Sequence, residues 1–246
     1  MSREAVRLTR HELPKVAQAS AFACSEWRRR AEVEYRSAAF AQTTTSWLLL
    51  VGAPPSLIRA GLRIVADEIA HSELSYRVHR AAGGSSPPHV TRESMTLARA
   101  ANEPLENDLA RVIAEVFCLG ETVAVPLFHR LRRKCTVPSA RRALERVLRD
   151  EVRHRDFGWT VLEWLFSLPS GADLRALVDR ELGSAFERLR AAYTPKKGST
   201  NLFQESDRAW GLMSLSEYAE ALDATLPKIW VPRFRELGID AAPKFR

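Results

Sequence analysis

Apolar side chains recur at spacings of three and four residues along most of the chain, and no convincing segment alternates apolar and polar residues as a strand does. This periodicity is typical of amphipathic helices, whose apolar stripe faces a core. We therefore expect an all-α protein. The predicted helices cover residues 25–51, 55–80, 105–134, 140–166, 172–193 and 214–226.

The segments between these helices differ in length. Short turns at residues 52–55 and 135–139 follow the first and third helices, and Ser139 is the predicted N-cap of the fourth helix. About 25 residues, beginning with the Gly- and Pro-rich stretch 82–88, separate the second helix from the third. An extended chain of that length can run the length of a bundle, so we expect two helical hairpins joined by a long crossover. The predicted organisation is a lead-in at 1–24, a four-helix bundle at 25–167 and a helical C-terminal extension at 168–246 with a loop at 194–201.

The chain is basic, with a formal net charge of +7, and its basic residues are 31 Arg and 6 Lys. Such an excess of arginine is typical of a GC-rich genome. The densest basic cluster, at residues 129–134, has no interleaved aromatic side chains and lies at a predicted helix end, where cations interact favourably with the helix dipole. We therefore do not expect nucleic-acid binding.

Location is predicted from the N-terminus, the apolar runs and the cysteines. The first residues are charged and contain no apolar signal core, and the longest apolar run, residues 47–55, is too short to cross a bilayer. Cys24, Cys118 and Cys135 have no metal-ligand spacing, and their odd number argues against a disulfide framework. We expect a cytoplasmic protein with reduced cysteines and no membrane association.

Two segments repeat the pattern Asp-Glu-aliphatic-x-His, at residues 67–71 in the second helix and 150–154 in the fourth. Residues three apart share one face of a helix, so the glutamate and the histidine of each segment point to the same place. The same five-residue frame on the second helix of both hairpins indicates one shared site.

The first helix of each hairpin offers a glutamate at the matching level. Glu34 precedes the first turn by about 18 residues and Glu68 follows it by about 14, so at ~1.5 Å per residue they lie within about one turn of level. In the second hairpin, Glu121 lies about 15 residues before the turn and Glu151 about 13 after it. Glu115 would lie ~9 Å further along the axis, so Glu121 is preferred.

This combination of side chains suits a pair of divalent metal ions. Four carboxylates and two imidazoles provide six ligands and four negative charges. Mixed oxygen and nitrogen ligands suit Fe or Mn, and the lack of cysteine ligands argues against an iron–sulfur cluster or structural zinc. The expected cofactor is two Fe ions, with Mn or a mixed Fe/Mn pair left open, and no catalytic residue is predicted beyond the ligands. The predicted metal ligands are Glu34, Glu68, His71, Glu121, Glu151 and His154.

Neighbouring residues suggest a supporting shell. Asp67 and Asp150 could each accept a hydrogen bond from the histidine of the other helix, or could face solvent. Small residues on the ligand faces, such as Gly158, would leave room for metals, O2 or a substrate. A core or surface position, rather than a place in the site, is expected for three residues near the ligands in sequence: Cys118, His79 and His129.

The segments that carry these ligands are AEVEYRSAAF, DEIAHSE, GETVA and DEVRH. They resemble the ferritin-like di-iron carboxylate superfamily, and more closely its uncharacterised bacterial ferritin-like domain proteins, over residues 25–167. The resemblance implies a ferritin-like four-helix bundle with a di-metal centre that reacts with O2 or peroxide. It does not imply a substrate, because storage, peroxidase, desaturase and oxygenase chemistry share this fold.

We expect an O2-activating di-iron oxidase or oxygenase that acts on a small molecule and needs an electron donor, with a homodimer left open. One alternative is an iron-handling or peroxide-scavenging protein, which a deep closed pocket would favour. A second is an RNA-modifying di-iron hydroxylase, which would need arginines to converge on the pocket mouth. A metal-free helical scaffold is a third alternative. A groove that reaches the metals would favour the oxygenase.

Overall fold

The computed structural model describes residues 18–193 and 202–245, and within these ranges the chain is helical and contains no strand. The predicted all-α class is therefore confirmed. Most of the predicted lead-in and the predicted loop at 194–201 fall outside the described residues. The helices are α1 (Ala21–Leu50), α2 (Pro55–Ala81), α3 (Leu105–Arg133), α4 (Pro138–Ser167), α5 (Gly171–Tyr193) and α6, which joins Leu215–Thr225, Leu226–Trp230 and Val231–Glu236.

Local signals set the ends of the first hairpin. The Ser20 hydroxyl accepts a hydrogen bond from the backbone N–H of Ala23 at 2.9 Å, so α1 begins four residues before the predicted start. Gly52 follows α1 with a φ of +73°, a left-handed conformation that glycine adopts without steric cost. Pro55 is the first residue of α2, where its missing N–H needs no partner. The two helices then pack against each other along their lengths.

The start of α4 differs from the prediction. Val137 precedes the helix in an extended conformation and Pro138 is its first residue, so the N-cap assigned to Ser139 is wrong. The fixed φ of proline is suited to the first helical position, and this preference replaces a side-chain cap here. The shift is only two residues, so it leaves the levels of the α4 ligands unchanged.

A nine-residue π-helical segment, Ile113–Glu121, interrupts α3. Such wide turns often occur at functional sites. Gly158 of α4 lies against this segment: a Cβ there would be 2.5 Å from Cβ of Phe117 and 2.9 Å from the carbonyl carbon of Phe117. The expectation that Gly158 leaves room for metals is therefore corrected, because the space is filled by the neighbouring backbone. The glycine allows α3 and α4 to approach closely.

The remaining helices complete one core. α2 packs on α4, α4 packs on α3, and the crossover between α2 and α3 contains a single 3-10 turn, Glu93–Met95. α5 packs against α3 and α4, and α6 packs on the second half of α3. The fully buried Trp230 of α6 donates a hydrogen bond to the backbone carbonyl of Cys118, at 3.0 Å, and its ring meets Phe186 of α5 edge-on. The C-terminal extension therefore shares the core of the other helices.

α3 is long and apolar enough, by length and composition, to cross a membrane. The core helix of a globular protein meets the same criteria, and the apolar side chains of α3 pack against α4, α5 and α6. Within α3, 44% of the most apolar 18-residue window is buried among the described residues.

Candidate metal centre

The predicted ligands come together where α1, α2, α3 and α4 face one another. Their potential ligand atoms form two groups of four, and within each group the atoms lie within 4.8 Å of one another. Glu68 and Glu151 belong to both groups, so each can serve two ions. The first group is Glu34, Glu68, His71 and Glu151, and the second is Glu68, Glu121, Glu151 and His154.

These side chains are withdrawn from water. His71 and His154 have no exposed surface, Glu68 and Glu151 are 1% and 2% exposed, and Glu121 is half-buried. Burial of several carboxylates in one place is strongly disfavoured unless cations or protons compensate their charges.

Four atoms of the centre lack hydrogen-bond partners. Nδ1 of His154 lies 3.0 Å from Oε1 of Glu68 and 3.5 Å from Oε2 of Glu151, and Nδ1 of His71 lies 3.6 Å from Oε2 of Glu68. Despite these short separations, neither Nδ1 atom makes a hydrogen bond, nor does Oε2 of Glu68 or of Glu151. Converging buried polar atoms without partners carry an energetic cost that a coordinated cation would remove.

The spacing of the groups fits metal ions. With bonds of about 2.0–2.2 Å, two ligands on opposite sides of one ion lie about 4.2 Å apart. A group that spans at most 4.8 Å needs only a small contraction to reach that geometry. The donor set contains oxygen and nitrogen but no sulfur, which suits Fe or Mn.

Each histidine turns its other ring nitrogen toward an aspartate of the opposite motif. Nε2 of His71 lies 3.1 Å from Oδ2 of Asp150, and Nε2 of His154 lies 3.5 Å from Oδ2 of Asp67. The predicted pairing of each aspartate with the other helix's histidine is confirmed. A neutral imidazole that donates from Nε2 has its lone pair on Nδ1, the atom that faces the carboxylates.

Two arginines that the sequence reasoning missed hold these aspartates. Nη2 of Arg153 lies 2.9 Å from Oδ2 of Asp67 and 2.7 Å from Oδ1 of Asp150. Arg146 also bonds both carboxylates. A sequence signal was present, because Arg146 and Arg153 stand four residues before and three after Asp150, on the same helix face. The pair connects the two motifs on the side away from the ligand atoms.

Two glutamates of the centre favour the protonated form in the absence of metal. Burial raises the pKa of Glu34 well above its usual range, and repulsion from Glu68 adds to this effect. Burial likewise raises the pKa of Glu121 well above its usual range, together with repulsion from Glu151. Each of these residues belongs to only one ligand group.

The pKa values of the two histidines are raised, whereas the pKa of Glu68 is lowered. Burial alone would raise the pKa of Glu68, but the two imidazoles, His154 foremost, lower it to about 2. Burial alone would lower the pKa of His71, but the surrounding carboxylates, Glu68 foremost, raise it to about 9. The pKa of His154 is raised further still, since Asp67 and the two shared glutamates outweigh its burial. Without metal, the imidazoles therefore hold protons that compensate the carboxylate charge.

The structure also places the other candidate residues. Glu115 lies outside both ligand groups and pairs with Arg188 of α5 at 2.6 Å. The ring nitrogens of His79 lie 2.8 and 3.0 Å from two backbone carbonyl oxygens, away from the ligands. His129 is exposed and Cys118 is fully buried. None of these residues belongs to either ligand group.

A cavity of about 300 Å³ reaches the centre. Its floor includes the four carboxylates, and its walls come mainly from α1 and α3. Tyr193 of α5 and Tyr218 of α6 line it as well, with their rings stacked 5.6 Å apart. The sequence reasoning did not predict this contribution from the C-terminal extension, since no pattern in that segment indicates which side chains meet the bundle.

In comparisons with known proteins, the chain matched no protein-family model, no curated protein and no solved structure. Membership of the ferritin-like superfamily therefore stays a prediction from the ligand motifs.

Proposed function

We propose that this protein is a di-iron carboxylate protein of the ferritin-like superfamily, with α1–α4 as its four-helix bundle, and that it is an O2-activating oxidase or oxygenase of a small molecule. The observation that carries the proposal is the pair of ligand groups sharing Glu68 and Glu151, with four buried atoms that lack partners, on the floor of a cavity. Charged residues that shared a helix face only by chance would instead be exposed to water or paired with one another.

Glu68 and Glu151 would bind both ions, and each of the other four ligands would bind one. Glu34 and His71 would complete the coordination of one ion, and Glu121 and His154 that of the other. When bound, two Fe(II) ions would supply two electrons and open coordination positions for O2, and an external electron donor would reduce the oxidised ions again before the next turnover. Asp67 and Asp150 would fix the orientation of the two imidazoles.

The cavity favours an organic substrate over iron handling alone. It is open enough for a small molecule, and apolar side chains that come mainly from α3 line it next to the ligand carboxylates. A closed pocket would be expected of a protein that reacts only with O2 or peroxide.

The cavity gives little support to an RNA substrate. Among the described residues, the arginines that line it are Arg29 and Arg30, and Arg29 is paired with Glu26 at 2.7 Å. A mouth that binds the RNA backbone needs several unpaired cations.

Metal stoichiometry tests the ligand assignment. Protein purified anaerobically with excess iron should hold about two ions per chain, and O2 should change its optical spectrum. Glu34→Gln should reduce the content to about one ion, since Glu34 belongs to one group, whereas Glu68→Gln should remove both. Glu115→Gln, outside both groups, is the matched control and should retain about two. Wild-type protein with fewer than about one ion per chain would overturn the proposal.

Peroxide turnover separates the two reaction classes. Rapid consumption of peroxide without any organic substrate would support the iron-handling alternative. Slow consumption, with O2 reduction accelerated by a bound small molecule, is the result expected of an oxygenase.

A further inference from the structure

The cavity beside the metal centre carries a cation without a carboxylate partner in the described part of the chain. Arg30 lines the cavity and forms no ion pair there, whereas its neighbour Arg29 pairs with Glu26. The Nη1 atom of Arg30 is buried and makes no hydrogen bond. Arg30 as a whole is half-buried and its side chain hydrogen-bonds Tyr218, so the Nη1 donor is the part of the guanidinium left without a partner. An anion that contacts Nη1 would satisfy this donor.

Aromatic side chains hold this guanidinium in place. Its central carbon lies 4.4 Å from the centroid of the Trp27 ring and 5.4 Å from that of Phe128. These cation–π contacts restrict the guanidinium, whose fork of N–H donors is suited to binding a planar carboxylate. Burial raises the pKa of the adjacent Tyr218, and the Arg30 cation offsets only part of that effect.

The space between this cation and the centre is apolar. Arg30 precedes Glu34 by four residues and Phe128 follows Glu121 by seven, so the cation and the ligands are separated by about 6–10 Å along the helices. Val33 and Ala124, which line the cavity, occupy the intervening positions of the two helices. An apolar body of that length can therefore lie between the cation and the ligand carboxylates.

The carboxylates of the metal centre do not provide an anion that would neutralise Arg30. Four carboxylates would balance two divalent ions, which leaves the charge of Arg30 uncompensated. We propose that the cavity binds a monocarboxylate with an apolar body, whose carboxylate contacts Arg30 and whose apolar end points toward the metal ligands. The assignment of such acids as the substrate class rests on the proposed function.

The test compares an acid with an alcohol of the same length. Octanoate and octanol, with hexanoate and hexanol as a shorter pair, are titrated calorimetrically into the full chain loaded with Mn(II). The acid should bind at least about tenfold more tightly than its alcohol, because a charge-assisted pair to Arg30 is available to the acid alone. Arg30→Gln should abolish this preference. Arg28→Gln, on the same helix but outside the cavity and paired with Glu32, should retain it.

Because a carboxylate can also bind Mn(II) directly, the same titrations are repeated on the metal-free wild type, where a preference for the acid is expected and its absence would overturn the proposal even if Arg30→Gln does not fold. The proposal would be overturned if each acid and its alcohol bound with equal affinity. It would also be overturned if Arg28→Gln lost the preference for the acid as fully as Arg30→Gln does. Metal content is measured on the same samples. A chain that takes up no metal but prefers the acid would refute the proposed function and support the carboxylate site. A metal-loaded chain without the preference would refute the carboxylate site alone.

Discussion

Without metal, the buried histidines should make the protein lose stability as the pH rises. Burial opposes the charged form of His71, but Glu68 and its neighbours outweigh burial and raise the pKa from 6.5 to about 9. A pKa raised by folding contributes stability that is fully present below pH 6.5 and is lost as the pH rises through 9.

The size of the loss follows from the two pKa values. The difference is 9 − 6.5, or 2.5 units, and at about 1.4 kcal/mol per unit His71 contributes about 3.5 kcal/mol, most of which is lost between pH 6 and pH 9.5. The pKa of His154 is raised in the same direction, so its contribution has the same sign. Metal ions would replace these protons on the Nδ1 atoms, and metal affinity therefore rises with pH.

Urea unfolding between pH 6 and pH 9.5, with a chelator or with Mn(II), measures both effects. The free energy of unfolding of the metal-free protein should fall by at least about 3 kcal/mol, and that of the loaded protein should not fall. His71→Gln should reduce the slope by about 1.4 kcal/mol per pH unit, whereas the exposed His129→Gln should not change it. A metal-free protein whose stability is constant or increases over this range would refute the proposed electrostatics.

Three further outcomes are expected. Asp150→Asn should weaken metal affinity about 10- to 100-fold in a competition titration, because the His71 imidazole loses the carboxylate that orients it; unchanged affinity would contradict that role. Gly158→Ala should destabilise the fold by about 1–3 kcal/mol in urea, because its Cβ would overlap the π-helical segment. At Gly183 an added Cβ would make only an ordinary van der Waals contact, 3.7 Å from the Lys244 carbonyl oxygen, so Gly183→Ala should be neutral or stabilising, and equal effects of the two would count against the packing argument. A thermal melt of Glu115→Ala should show a loss below about 1 kcal/mol, since only a surface ion pair is removed, and a larger loss would indicate a structural role.

Helix periodicity explains why the sequence predicts the metal-ligand candidates. The face and the height of a helical residue follow from its position relative to a turn, so Glu121 could be preferred to Glu115 without coordinates. The turn at Gly52 and Pro55 likewise ends one helix and begins the next through backbone preferences that belong to the residues themselves. Helix ends follow less directly from residue preferences, since Pro138 rather than Ser139 sets the start of α4.

Other features depend on which helix faces meet, and spacing along one chain segment carries no such information. The contacts of Arg146 and Arg153 with both aspartates require α2 and α4 to lie side by side. Gly158 has its role only because the π-helical part of α3 approaches it. Tyr218, far from the ligands in sequence, lines the cavity because α6 packs on α3. The sequence alone determined the helices and the candidate ligands, because these follow from local periodicity; the tertiary structure decided the supporting arginines and the cavity, because these arise only where separate helices come into contact.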